Sequence, residues 1–247
     1  MEAAELGLFM ISACAVVAAF EHPSSPLSSR IASETLRRVL VGVAMGLTAI
    51  ALVYSPWGKR SGAHFNPAVT LAFWRLGKID PWDALFYGCF QAVGAVAGVA
   101  LSVALLGSHV IGDARVNYVA TLPGAYGTLA AFFSEVGISF GLMSVVLFAS
   151  NDERLAPLTG VLAGALVAIY IAIEAPVSGM SMNPARSLAP AVVGNLWAAL
   201  WVYFVAPPIG MLAAAELRLL NARRVECAKL HHRNHYRCIF CDYQHAA

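Results

Sequence analysis

Six long apolar runs take up most of this chain, at about residues 3–20, 35–55, 82–106, 128–150, 155–175 and 195–217. Each is near the ~20 residues that the hydrocarbon core of a bilayer requires. In lipid every backbone N–H and C=O must find a partner inside the protein, and a helix achieves this within one segment. The sequence therefore predicts an all-α membrane protein with six transmembrane helices. Composition agrees, since only 12% of the 247 residues are charged, against ~25% in an ordinary soluble domain. The first run is read as a membrane helix and not as a cleaved leader, because it opens with Glu2 and Glu5 and no Lys or Arg. A net charge of +2 gives no reason to expect nucleic acid as a partner.

One octet occurs twice, as Ser61-Gly62-Ala63-His64-Phe65-Asn66-Pro67-Ala68 and as Ser178-Gly179-Met180-Ser181-Met182-Asn183-Pro184-Ala185. Asn is a good helix N-cap, because its side-chain oxygen accepts from the first free N–H groups. Pro suits the first helical position, where its missing N–H is not needed. Each copy thus predicts a loop entering a short re-entrant helix, at about residues 67–76 and 184–193, with its positive end turned toward the loop. The copies are preceded by matching small-xxx-small patterns, Gly42–Gly46 and Gly160–Gly164, which allow close helix contact in lipid. Three spans per half is an odd number, so the halves, about 1–106 and 128–217, form an inverted repeat. The half-helices then enter from opposite faces and meet near the midplane. Residues 21–34 and 107–127, rich in Pro, Ser and Gly, read as connections on one face.

With both termini cytoplasmic, eleven of the 16 Lys and Arg residues fall on that side. The other five are Arg30, Arg37, Arg38, Arg115 and Arg186. The positive-inside rule favours this multi-pass topology, in a plasma membrane or a bacterial inner membrane.

The motifs SGAHFNPAVT (61–70) and GMSMNPARSLAP (179–190) resemble those of the aquaporin, or major intrinsic protein, family. Their wording is nearest to the nodulin-like intrinsic proteins and their bacterial relatives, and the resemblance covers about residues 1–217. It implies an aquaporin-like right-handed bundle of six helices and two half-helices, assembled as a homotetramer with one pore per subunit. The implied function is a passive channel for water and small neutral solutes that excludes protons and ions. The resemblance also implies that Asn66 and Asn183, with Pro67, Ala68, Pro184 and Ala185, present amide donors to the permeant. Met45, Ile171, Met180 and Arg186 would line the narrowest constriction. Orthodox water channels usually carry an aromatic and a His at the first two of these positions. Met45 and Ile171 leave no second polar donor beside Arg186, so the expected opening is less polar and admits small uncharged solutes. Glu5 and Glu135 resemble buried glutamates that brace the re-entrant loops by accepting backbone N–H bonds. Intramembrane acids also build proton relays, which keeps that second reading open. His64, next to Asn66, is expected to make a structural hydrogen bond in the same loop. Glu174 has no counterpart in the first half and is placed near the interface or a vestibule.

Beyond residue 217 the chain turns polar and basic, and residues 218–247 are read as a separate cytoplasmic tail. It carries Cys227, His231, His232, His235, Cys238, Cys241 and His245. Cys238-Ile-Phe-Cys241 is a C-x2-C pair, and Cys227, His231 and His235 are candidates to complete a four-ligand zinc site. The same residues fit a basic tail lying on anionic lipid or a redox pair. No other cofactor is expected. Besides a passive channel, the sequence admits a proton-coupled transporter using the glutamates, a metal-regulated closed pore, or a structural membrane protein. No nucleophile–base or phosphate-cradling pattern suggests an enzyme.

Overall fold

A computed structural model describes residues 1–241; His245 lies outside the described residues. Among the described residues eleven α-helices follow one another: α1 (Glu2–Glu21), α2 (Pro26–Arg30), α3 (Glu34–Tyr54), α4 (Pro56–Ser61), α5 (Pro67–Arg75), α6 (Pro81–Leu106), α7 (Ser108–Ile111), α8 (Gly127–Ala149), α9 (Thr159–Ser178), α10 (Pro184–Gly194) and α11 (Leu200–Leu220). Six of them, α1, α3, α6, α8, α9 and α11, are long and apolar enough to cross a membrane. The apolar runs therefore mark the spans to within a few residues. The last span starts at Leu200 and not near 195. Asn195 and Ala199 adopt left-handed backbone, which ends α10 and turns the chain before α11 begins.

The packing follows the repeat. α1 pairs with α6 as α8 pairs with α11, α5 lies against α11 as α10 lies against α6, and α3 crosses α9 between the halves. Glycine sets that central crossing. A Cβ on Gly46 would come within 2.5 Å of the Gly164 carbonyl oxygen, and one on Gly164 within 2.6 Å of the Gly46 carbonyl oxygen. The two small-xxx-small patterns thus face each other, backbone to backbone.

Leu47, Val93, Leu105, Leu129, Phe133 and Ile173 are exposed on the outside of the bundle, as lipid or a neighbouring apolar surface requires. Exposed aromatics sit near the span ends, with Trp57, Trp74 and Trp82 toward one face and Tyr126, Trp197 and Trp201 toward the other. The tail does not stand apart as a free basic segment. Val225, Ala228 and Leu230 are buried in the same apolar cluster as Phe73, Leu142 and Met143.

Candidate functional site

The site is built where the two octets meet. Ser61 and Ser178 play the same part in each: the backbone N–H two residues on, of Ala63 and Met180, donates to the hydroxyl at 3.1 Å. The glycine that follows is left-handed, with φ of 106° at Gly62 and 82° at Gly179, a region closed to most other residues. Asn66 and Asn183 then cap α5 and α10. The Asn66 Oδ1 accepts from the Ala68 N–H at 2.9 Å, and the Asn183 Oδ1 from Ala185 at 3.1 Å and Arg186 at 3.2 Å. Because each oxygen is committed to its helix, each amide nitrogen must point away from it. The nitrogens cross over: Asn66 Nδ2 donates to the Met182 carbonyl and Asn183 Nδ2 to the Phe65 carbonyl, both at 2.7 Å. An amide has two N–H groups, so each keeps a second donor where the positive ends of α5 and α10 converge.

Both asparagines line a cavity of about 530 Å³ that runs past the crossing toward either face. Toward one end it is walled by Met45, Ile171, Met180, Arg186, Val119 and Asn117, and toward the other by Val53, Val146 and Leu230. Met45, Ile171, Met180 and Arg186 thus share one cavity. Arg186 is held by its own contact, Nη1 donating to the Val119 carbonyl at 2.6 Å. Asn117, Tyr118 and Val119 all have positive φ, between 45° and 54°. A run of three such non-glycine residues carries backbone strain, and it presents that carbonyl to the arginine.

The carboxylates divide their work unequally. Glu135 accepts from the Ser178 hydroxyl at 2.6 Å and from the backbone N–H groups of Ser181 and Met182 at 2.7 Å each. The expectation that Glu5 takes backbone donors in the same way is corrected. Glu5 accepts from the Ser61 hydroxyl at 2.7 Å, while His64 and Phe65 donate their N–H groups to Glu2, at 3.1 and 2.6 Å. One helical turn separates Glu2 from Glu5, so both reach the loop, and Gln91 holds Glu2 with a bond of 2.6 Å. The sequence reading missed Glu2 and Gln91. It also missed Tyr87 and Tyr203, whose hydroxyls donate to the Ser61 and Ser178 carbonyls. A tyrosine at nearly equal distance after each octet was the available signal.

His64 is tied into this frame. Its Nε2 lies against the Ala228 carbonyl, which can only accept, so Nε2 carries a proton. Its Nδ1 lies 3.0 Å from the Thr70 hydroxyl. The second half has Ser181 and Ser187 at the matching places, also six residues apart, and Ser187 bonds on to Thr121 at 2.7 Å.

In the tail, the zinc-ligand expectation is corrected in two members. Cys227, Cys238 and Cys241 come together with His232, not with His231 or His235. His231 packs edge-on against Tyr54, and the His235 ring lies tilted against Tyr236. Burial, with the Lys59 charge nearby, pushes the His231 imidazole down.

Two short helices that converge head to head inside six membrane spans, around one cavity, define a membrane pore fold with an inverted repeat. The profile of the major intrinsic protein family matches residues 2–217, and the chain belongs to that family. It is 38% identical over 178 residues to Aquaporin NIP1-2 of Arabidopsis thaliana, and 40% identical over 178 residues to Aquaporin NIP1-4 of Oryza sativa subsp. japonica. Each match covers 71% of this chain but only 60% and 62% of those proteins. The X-ray structure of the aquaglyceroporin from Plasmodium falciparum shares the fold, with a TM-score of 0.71 at 17% identity over 88% of this chain and 92% of that one.

Proposed function

We propose that this protein is a passive pore for water and small uncharged solutes, with both ends cytoplasmic and the Arg186 end of the cavity facing outward. The observation that carries this reading is the crossed pair of asparagines. Their oxygens are locked in helix caps and their remaining N–H donors are presented at the positive ends of two half-helices. A neutral molecule with an acceptor oxygen is favoured there, and a cation is opposed. The apolar side chains of Met45, Ile171 and Met180 beside the Arg186 guanidinium suit a solute with a carbon backbone as well as water. The family relationship supports the same reading, as does the engagement of Glu135, which the loop backbone and Ser178 occupy. Exposed apolar faces on the bundle are the surfaces that a homotetramer would cover.

Stopped-flow light scattering on proteoliposomes tests the proposal. Rapid osmotic shrinkage followed by re-swelling in glycerol or urea is the expected result. Fast shrinkage without re-swelling restricts the pore to water, and rates equal to those of empty liposomes overturn it.

A further inference from the structure

The tail runs back across the bundle and ends in a cluster that the pore does not use. The ligand atoms of Cys227, His232, Cys238 and Cys241 all lie within 4.8 Å of one another. Cys227 and Cys238 sulfurs are 3.4 Å apart, and His232 Nε2 is 3.1 Å from the Cys241 sulfur. A zinc ion with Zn–S bonds of ~2.3 Å and Zn–N bonds of ~2.0 Å sets tetrahedral edges of about 3.5–3.8 Å. The four atoms are therefore near their places, and small side-chain rotations complete the tetrahedron. The donor set suits a soft-ligand metal. Backbone N–H groups of Phe240 and Cys241 lie near the Cys238 sulfur, and that of Lys229 near Cys227, where outer partners can orient thiolate ligands. Three thiolates around Zn²⁺ leave one negative charge, and the buried Lys229 ammonium lies within electrostatic reach of all three sulfurs. Cys241 is exposed and gives the ion a path in.

What lies between the ligands gives this site its consequence. The four residues from Ala228 to His231 span the gap from Cys227 to His232, and they press on the first octet. The Leu230 N–H donates to the Gly62 carbonyl at 3.1 Å, the Ala228 carbonyl accepts from His64, and Lys229 and Asn234 both donate to the Lys59 carbonyl. Leu230 itself stands in the wall of the cavity. Phe240, between Cys238 and Cys241, lies parallel to the His64 ring with centroids 6.2 Å apart. We propose that Cys227, His232, Cys238 and Cys241 form a tetrahedral zinc site that clamps the tail over the mouth of the pore, so that loss of the metal widens that mouth. The metal site stands on the cluster alone, whereas the control of flux rests on the channel reading above.

The experiment uses the purified full chain. Elemental analysis is expected to find one zinc per chain, lost in Cys238→Ser/Cys241→Ser. Cobalt exchanged into the protein is expected to give the thiolate charge-transfer and strong visible bands of a tetrahedral site. Proteoliposomes treated with a chelator are expected to pass water several-fold faster than zinc-loaded ones. Leu230→Ala is expected to keep the zinc yet lose most of that difference. No bound zinc, with Cys227 and Cys238 found joined as a disulfide by mass spectrometry, overturns the metal site in favour of a redox pair. Stoichiometric zinc with flux unchanged on its removal overturns the control of the mouth. Stoichiometric zinc with no flux in either form overturns the channel reading instead.

Discussion

Glu135 receives three hydrogen bonds from the second loop, while Glu2 and Glu5 share the corresponding donors of the first. Truncating an acceptor strands its buried donors, at about 1–3 kcal/mol for each group left unpaired. Glu135→Ala is therefore expected to lower the thermal unfolding midpoint in detergent well below that of Glu5→Ala, which strands one serine hydroxyl. Equal midpoints would mean that the two carboxylates are interchangeable braces. The constriction offers a second residue-level test. Ile171→His places a polar, longer and planar side chain beside Arg186. Glycerol re-swelling is expected to fall about tenfold, a loss of about 1.4 kcal/mol in the transit barrier, with osmotic water flux largely kept. A parallel loss of both would place the barrier elsewhere.

At the level of the elements, the α3–α9 crossing has no room for a side chain. Gly46→Val forces a branched Cβ onto the Gly164 carbonyl, and overpacking of this kind costs about 3 kcal/mol. The expected outcome is a broad, aggregated gel-filtration profile. A Cβ at Gly137 on α8 would meet nothing beyond its own helix backbone within 4 Å. Gly137→Ala should therefore leave the profile unchanged and the helix slightly more stable, by about 0.5–1 kcal/mol. The spans and half-helices were legible because length, apolarity and Asn-Pro caps are local signals. The glycine contact was legible as a pattern, although only the fold shows that the two copies meet each other. Glu2 was not legible, since an acid near a helix start reads equally well as a solvated end. Nor could spacing choose His232 over His231, because the direction of a side chain in an irregular segment depends on what the segment lies against. The seat of the tail on the first loop joins residues 164 positions apart, His64 and Ala228, and no local pattern announces it.

The whole molecule places the N-terminal ends of α5 and α10 against each other, and their fields add. Asn183→Asp keeps a capping oxygen but puts a carboxylate at the meeting point and removes the donor to the Phe65 carbonyl. Proteoliposomes of this variant are expected to leak monovalent cations, read with an entrapped ion-sensitive dye, where the parent is tight. A tight variant would mean that the barrier to cations resides at Arg186 alone. The repeat also has a roof over each loop. The backbone of Thr121 and Leu122 fills the space that a Cβ on Gly179 would need, and Ala228 and Lys229 crowd the same space at Gly62. The first of these roofs is strung between two spans and works as a fixed arch. The second lies beyond the sixth span and is joined to the first loop by the hydrogen bonds of Ala228 and Leu230. A pore with near-twofold symmetry in its walls therefore has unequal doors, one strung between two spans and one hung beyond the sixth.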